Sequence, residues 1–387
     1  MRKTLQLSAL ILPLFFLSCR KQVDVVPEIV QAPVPWARVD SLFGLRNVRV
    51  LNVQSVGKSL IITTDQFIRR IDPERSPQVL TYNLGWQNEK VRAVPFVSDK
   101  LMAYVATDRA TLGVFDLTGA APPSFISLSD VALSSTGTGR LQAQFDYWDF
   151  WQSAVVNGKN QVLLAVNFSS APSYYYLSEL DAAGRPRRNS DGRIDARFLA
   201  DKENNGLIYG SFPTQSGFLV GYLLGELNPG AGHRLSQLHR VDAEGAVTYV
   251  LPNFMMASVS SLPDGIYAYG TPLDDNGRRG NDCFYRSTDD GRTWTRLDWP
   301  RAPGLDLRHG GLKLIGNRPV YIQWGVYLQE VDPAVGRVRE LDRESLGNFA
   351  GISAIAEHGG YVYISTGANG GLYRRPLEDF FTYTTSK

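Results

Sequence analysis

Histidine and cysteine, the residue types that most often bind metals or act as nucleophiles, are sparse in this sequence. Its 387 residues include four histidines and two cysteines. The histidines form no His-x-His or His-Glu-x-x-His pattern, so no zinc site is indicated. The sequence also lacks a Gly-x-Ser-x-Gly nucleophile elbow and a phosphate-binding glycine loop. We therefore predict neither a metal nor a cofactor.

Acidic and amide side chains cluster in the segment 273–282. Asp274, Asp275 and Asn276 could supply oxygen ligands for Ca²⁺, which binds carboxylates and carbonyls. The spacing departs from that of an EF-hand loop, and Arg278 and Arg279 would repel a cation. We favour a solvated turn, and we keep the three polar residues as a candidate binding surface.

The densest aromatic stretch of the chain lies between residues 145 and 151 and fits neither a helical period nor a strand alternation. Its candidate binding residues are Tyr147, Trp148, Phe150 and Trp151. If these rings are exposed, they can stack on sugars or anchor a protein partner. If they are buried, they fill the space between neighbouring sheets. We favour burial, with the binding platform as the alternative.

One eight-residue segment, 287–294, matches a specific pattern. Ser287, Asp289, Gly291, Thr293 and Trp294 fit S-x-D-x-G-x-T-W at every fixed position. The Asp289 carboxylate and the Ser287 hydroxyl can bond turn amides, Gly291 can adopt a strained backbone conformation, and Trp294 can pack over the hairpin. The pattern resembles the Asp-box, or BNR repeat, of sialidase-like propellers. The resemblance implies a hairpin at the periphery of a propeller blade, so we expect these five residues to be structural.

The catalytic residues of that family are not matched. Sialidases use three arginines that clamp a carboxylate, a Tyr/Glu nucleophile pair and an Asp acid/base, and the first arginine lies in a Phe/Tyr-Arg-Ile-Pro motif. The nearest segment here, Phe67-Ile-Arg-Arg-Ile-Asp72, lacks the proline. We therefore predict no sialidase activity and name no catalytic residue.

The N-terminus has the pattern of an export signal. A basic start is followed by an apolar run from Leu5 to Leu17, which is too short to span a bilayer. Leu17-Ser18-Cys19 then resembles the lipobox of bacterial lipoproteins, although Phe16 replaces the usual aliphatic residue. The resemblance implies cleavage before Cys19 and lipidation of its thiol. Because Arg20 rather than Asp follows, it also implies the outer membrane. Cys283 is then single and cannot form an intramolecular disulfide.

Charge and composition exclude several partner classes. Hydrophobic residues make up 43% of the chain and charged residues 20%, which excludes a disordered or fibrous protein. Arg2 and Lys3 lie in the leader, which contains no acid, so the mature chain carries 38 basic and 38 acidic side chains. This balance argues against nucleic acid as a partner and against a membrane contact other than the lipid anchor.

The rest of the chain repeats with a period of about 50 residues. Each repeat has a central apolar strand and a partner strand that often ends in an apolar residue followed by Asp. An Asp at that position can accept hydrogen bonds from the next amides and fix a turn. The seven predicted central strands are 59–64, 101–107, 161–167, 217–223, 265–270, 319–324 and 360–365.

This period, with about four strands per unit, predicts an all-β seven-bladed β-propeller; six or eight blades are the alternatives. The predicted domains are a signal peptide over 1–18, the lipidated Cys19 with an extended tether over 19–44, and one propeller over 45–387. We predict a non-catalytic binding or scaffolding lipoprotein whose partner is an envelope protein or a glycan. The alternative is a glycoside hydrolase or lyase that uses carboxylates at the central funnel.

Overall fold

The residues that the structure describes form twenty-eight short strands. A computed structural model describes residues 33–45, 48–72, 79–85, 91–94, 96–97, 100–107, 111–127, 154–166, 174–200, 207–223, 236–274, 278–297, 310–323, 328–332, 336–346, 351–366 and 371–383. The first two blades and the strand that precedes them contain β1 (Ala37–Arg38), β2 (Val50–Val56), β3 (Ser59–Thr64), β4 (Phe67–Ile71), β5 (Val79–Asn83), β6 (Val91–Ala93), β7 (Met102–Thr107), β8 (Thr111–Asp116) and β9 (Ser124–Ser127).

The remaining strands follow with the same spacing. They are β10 (Ala154–Val156), β11 (Gln161–Val166), β12 (Tyr174–Glu179), β13 (Ala196–Ala200), β14 (Leu207–Pro213), β15 (Gly217–Leu223), β16 (Ser236–Asp242), β17 (Val247–Leu251), β18 (Phe254–Leu262), β19 (Gly265–Pro272), β20 (Cys283–Ser287), β21 (Thr295–Leu297), β22 (Gly310–Ile315), β23 (Arg318–Gln323), β24 (Leu328–Asp332), β25 (Arg337–Glu340), β26 (Ile352–His358), β27 (Tyr361–Thr366) and β28 (Leu372–Pro376). A short helix α1 (Leu377–Phe380) follows β28. None of the helices in the described part of the chain is long and apolar enough to cross a membrane.

The strands form seven four-stranded antiparallel sheets, which confirms the predicted seven-bladed propeller. Six sheets contain four consecutive strands, from β2–β5 to β22–β25. The second strand of every blade overlaps a strand predicted from the repeat. These central strands are buried because both of their faces pack on neighbouring blades; every residue of β3 and β7 is buried.

The hydrophobic core lies between the blades. The described buried residues form seven clusters, and each contains side chains from two adjacent blades. One cluster joins the seventh blade to the first, with Tyr363 and Leu372 packed against Val53 and Ile62. The ring is therefore closed, and each sheet buries both of its faces, as a single four-stranded sheet cannot do alone.

The seventh blade is completed by the N-terminal strand β1. Its strand order is β1-β28-β27-β26, with Ala37 opposite Arg374 and Arg38 opposite Tyr373. Trp36 and Val39 are buried beside this pairing. The propeller thus includes residues 34–44, which the sequence led us to expect in the tether, and the compact unit of the chain spans Val34–Lys387.

Side chains of the closing segment hold the ring together. The Trp36 indole donates to the Asp342 carbonyl at 3.1 Å, and its ring meets Phe380 edge-on at a centroid distance of 5.9 Å. The fully buried Arg375 forms an ion pair with Asp342 at 3.1 Å. Tryptophan, arginine and aspartate therefore join three separate segments of the chain at the closure.

The predicted Asp turns are confirmed in three blades. The Oδ1 atom of Asp116 accepts from the Thr118 amide at 2.9 Å, and that of Asp242 accepts from the Ala246 amide at 2.7 Å. Asp181 accepts from the Arg185 amide at 2.8 Å. Asp72 differs, because its carboxylate accepts from the Arg70 guanidinium at 2.7 Å instead.

Candidate functional site

The Ser287–Trp294 segment forms the turn between β20 and β21, the outer two strands of the fifth blade. Asp289 Oδ1 accepts from the amides of Arg292 at 3.1 Å and Thr293 at 2.8 Å, and Asp289 Oδ2 accepts from the Thr293 hydroxyl at 2.7 Å. The Ser287 hydroxyl donates to Asp289 at 2.8 Å and accepts from the Gly291 amide at 2.8 Å. Five hydrogen bonds therefore fix one short turn.

Gly291 and Trp294 complete this turn. Gly291 has a φ of +84°, which favours glycine, and a Cβ here would lie 2.9 Å from a methyl group of Leu219 in the fourth blade. The Trp294 indole donates to the Gly291 carbonyl at 3.1 Å, and its ring packs on the core between the fourth and fifth blades. The polar side chains of this motif therefore form hydrogen bonds within the turn and stabilise it.

The hydrogen bonds of the turn favour the charged form of Asp289. Desolvation acts to raise the pKa of this carboxyl group. The hydrogen bonds from Thr293, Ser287 and Arg292 outweigh it and lower the pKa to about 2. Asp289 is therefore a fixed anion at neutral pH and is unsuited to proton transfer there.

Asp290, at an unconstrained position of the motif, has contacts that sequence reasoning missed. Its carboxylate accepts from the Thr214 hydroxyl at 3.0 Å and from the amides of Gln215 at 2.9 Å and Ser216 at 3.0 Å. It also pairs with the buried Arg240 guanidinium at 3.2 Å. Desolvation opposes ionisation, but these hydrogen bonds lower the pKa of Asp290. The residue joins the fifth blade to a turn of the fourth.

The segment that follows β19 was predicted as a solvated turn with a candidate binding surface. Asp274 Oδ1 accepts from the Arg278 amide at 2.7 Å, and the Asp274 amide donates to the Arg278 carbonyl at 2.9 Å. Asp275 and Asn276 lie outside the described residues. Within the described ranges, no three His, Cys, Asp or Glu side chains are grouped closely enough to hold a metal ion.

Other predicted site residues are also outside the described part of the chain. These are Cys19 and the aromatic residues Tyr147, Trp148, Phe150 and Trp151. Cys283 is described, and its thiol is buried in the core between the fourth and fifth blades. The aromatic platform and the lipidation site stay predictions.

The described residues enclose a central cavity in the ring, with a volume of about 570 Å³. Its lining comes from the first strand of six blades or from the residues that follow that strand. The aromatic rings of Phe96 and Phe212 contribute apolar surface to the wall of this cavity. The polar lining residues are Asn52, Gln54, Ser55, Ser260, Ser261, Lys313, Ser353 and Glu357. A cavity of this size falls in the range of about 300–1,000 Å³ that is typical of small-ligand sites.

Four of these polar side chains connect adjacent first strands. The Ser260 hydroxyl accepts from the Leu312 amide at 2.7 Å, and Glu357 Oε2 accepts from the Gly316 amide at 2.6 Å. The Ser353 hydroxyl donates to the Val50 carbonyl at 3.3 Å, and the Ser55 hydroxyl bonds His358 Nδ1 at 2.9 Å. These groups are engaged in holding the fifth, sixth, seventh and first blades together.

The other four polar lining residues are not engaged in this way. Asn52, Gln54 and Ser261 form no side-chain hydrogen bond with the described residues, and Lys313 forms no ion pair with them. The Lys313 side chain is exposed to the solvent of the cavity. The surrounding ring nevertheless desolvates its ammonium group, and this lowers the pKa of Lys313. Donors and acceptors thus face the cavity without a partner among the described residues.

Comparisons with known proteins show no family for this chain, and solved structures align with it at low identity. No protein-family model matches it, and no curated protein matches it. The WD40 β-propeller domain of Doa1 aligns at 11% identity and a TM-score of 0.46, over 85% of this chain and 93% of that one. The Dos1 propeller aligns at 10% identity and a TM-score of 0.47, over 92% of this chain and 96% of that one.

A third solved structure is of a longer chain, and the alignment covers only part of it. It is PorZ, an essential bacterial surface component of the type-IX secretion system of Porphyromonas gingivalis. The identity is 11% and the TM-score 0.43, and the alignment spans 88% of this chain but 38% of that one. The seven-bladed architecture of the present chain follows from its own strand pairing and from the seven clusters between its blades.

Proposed function

We propose that this chain is a bacterial lipoprotein, anchored in the outer membrane through Cys19, whose propeller binds or scaffolds an envelope glycan or protein. The observation that carries the binding role is the central cavity with its unengaged polar groups. Asn52, Gln54 and Ser261 each offer donors or acceptors to a space large enough for a ligand. The anchor rests on the resemblance of Leu17-Ser18-Cys19 to a lipobox.

The walls of this cavity suit recognition because they are held in place before any ligand arrives. The hydrogen bonds of Ser260, Ser353 and Glu357 join neighbouring first strands at the wall. A preformed wall reduces the conformational entropy that binding must overcome. The polar groups that are left over can then exchange hydrogen bonds with water for hydrogen bonds with a partner.

The alternative function, a glycoside hydrolase or lyase, requires two carboxyl groups that flank one bond. Of the described lining residues, Glu357 alone has a carboxylate, and its Oε2 atom is bonded to the Gly316 amide. If the protein depolymerises a bound polysaccharide, and if the Glu357→Gln variant no longer does so, the alternative is favoured over binding alone.

The binding role is tested by site-specific photo-cross-linking in the native envelope. A photoreactive amino acid replaces Ser261, which is exposed in the cavity, or Thr81, which is exposed on the outer strand β5. We expect a discrete adduct from position 261 that is absent at position 81. Sensitivity of the adduct to protease or to periodate identifies a protein or a glycan. Identical adducts from both positions, or none from position 261, would contradict the proposal.

A further inference from the structure

Lys313 has an unusual place in the ring. It lies on β22, the first strand of the sixth blade, and it contributes the one ammonium group among the described residues that line the cavity. Its neighbours along the strand, Leu312 and Ile315, are buried in the core. A lysine in this register places a positive charge inside the cavity rather than at an outer surface.

Among the residues that the structure describes, no acidic side chain forms an ion pair with this ammonium group. Glu357, the carboxylate of the described lining, is bonded to the Gly316 amide, and no ion pair joins it to Lys313. Desolvation alone lowers the pKa of the lysine, with no opposing contribution from an acid. An ammonium group that is partly desolvated and unpaired gains more from an incoming anion than an ammonium group at an open surface does.

The rest of the unengaged lining is neutral and mixed in character. Asn52 and Gln54 on β2 carry side-chain amides, which both donate and accept, and Ser261 on β18 carries a hydroxyl. Sugar hydroxyls also both donate and accept, so they match such groups in either direction. The volume of about 570 Å³ suits a few sugar rings rather than a folded protein segment.

We propose that the central cavity binds an anionic saccharide, whose acidic group pairs with the Lys313 ammonium and whose hydroxyls bond Asn52, Gln54 and Ser261. This inference rests on the proposed binding function and names its ligand class. The acidic group is a carboxylate, as in a uronic acid, or a phosphate ester. Both are anions with several acceptor oxygens, and lysine pairs with either as a point charge.

The test is calorimetric titration of the full chain in a mild detergent with matched pairs of probes. Trigalacturonate is compared with its methyl ester, and mannose 6-phosphate is compared with mannose. We expect at least one acid to bind about tenfold or more tightly than its neutral counterpart, because a charged hydrogen bond is lost in the latter. The acid that binds distinguishes a carboxylate from a phosphate.

Variants of Lys313 test whether its ammonium group is the charge that binds the acidic probe. Lys313→Met is expected to weaken binding of the acidic probe about ten- to a hundredfold and to leave the neutral probe unchanged. Lys313→Arg should retain binding to within about threefold, since it keeps the charge. Lys159→Met removes the same charge from an exposed turn outside the cavity and should have no effect.

Three outcomes would overturn the inference. They are equal affinity for acidic and neutral probes, equal loss in Lys313→Met and Lys159→Met, and a triglutamate peptide that binds as tightly as the saccharides. The cross-linking result separates this inference from the binding function. If position 261 captures a partner while no anionic saccharide binds, the ligand class is wrong and the binding function stands.

Discussion

Asp290 shows how much one side chain can do in a propeller. Its carboxylate accepts hydrogen bonds from the hydroxyl of Thr214 and from two amides of the neighbouring blade, and it forms an ion pair with the guanidinium of Arg240. The Arg240 side chain is 6% exposed, and it also donates through Nε to the Asp290 carbonyl at 2.9 Å. The pair therefore fastens the fourth blade to the fifth by charge as well as by apolar packing.

Asp290→Asn should reveal the strength of this contact. It keeps the φ of +60°, which asparagine tolerates, but leaves a buried guanidinium without its counter-ion. We expect the free energy of unfolding to fall by about 2–4 kcal/mol, measured by urea denaturation. Asp181→Asn is the matched control, because the ion pair of Asp181 with Arg185 is about half exposed on both sides. Its effect should stay below about 1 kcal/mol, and equal losses in the two variants would contradict the assignment.

Asp289 predicts a dependence of stability on pH. Its pKa is lowered to about 2 in the folded chain, so ionisation favours folding above the ordinary value near 4. This contribution is lost as the pH falls from about 4 to about 2. We expect Asp289→Asn to be less stable than the natural chain by about 1 kcal/mol at neutral pH, since the partly exposed turn is screened by solvent.

The measurement for Asp289 is a pair of denaturation series at several pH values. The difference in unfolding free energy between the two proteins should shrink as the pH falls below 4, because other carboxyl groups contribute equally to both. A difference that stays constant from pH 7 to pH 2 would show that the charge of Asp289 is irrelevant to the turn.

Sequence reasoning reached some of these residues and not others, for a physical reason. The contacts of Ser287, Asp289 and Thr293 lie within four positions along the chain, so a local pattern records them. The partners of Asp290 are 50 to 76 positions away, and no local pattern can record those contacts. Lys313 was missed for a related reason: it breaks an apolar strand, but only the ring shows that this strand lines a cavity.

At the scale of the strand, the repeat predicted the second strand of each blade because burial on both faces leaves a continuous apolar run. The strand β1 left no such signal. It has two residues, both exposed, and its partner β28 is at the opposite end of the chain. The tether was therefore expected to continue to residue 44, whereas the propeller already includes Trp36.

Removal of β1 tests its role in the seventh blade. A deletion of residues 1–40 takes away β1, Trp36 and Asp40 and leaves the edge of β28 unpaired. We expect a lower denaturation midpoint, with a loss of about 3–5 kcal/mol from the tryptophan alone, and self-association in gel filtration through the open edge. A deletion of residues 1–32 keeps β1 and should remain monodisperse and as stable as the full chain. Equal behaviour of the two deletions would show that β1 is dispensable.

At the scale of the whole molecule, seven equivalent interfaces distribute the core around a central cavity. The hydrophobic core is divided among these interfaces. The chain therefore buries its apolar surface only when each blade packs against two neighbours. A ring of this kind presents its polar inner wall to one shared space. That geometry, rather than any one motif, supports a binding role and leaves the identity of the ligand to the side chains of the wall.

The proposed anchor makes a prediction at the same scale. Cys19→Ser should move the protein from the membrane fraction to the soluble fraction and abolish incorporation of labelled palmitate, because stable attachment requires acyl chains. Cys283→Ser removes the other cysteine, which is buried, and should leave labelling and fractionation unchanged. Membrane association that survives Cys19→Ser would contradict a lipid anchor at this residue.

The pairing of β1 with β28 also determines when, during synthesis of the chain, the seventh blade can form. Asp40 Oδ1 accepts from the amide of Leu372, 332 positions later in the chain. During synthesis, every other blade can assemble from strands that have just emerged, but the seventh must wait for the last of them. Bringing these distant segments together also carries the largest loop-closure entropy in the fold. A nascent or truncated chain that ends before Leu372 is thus an open arc, and the ring closes only after β28 has been synthesised.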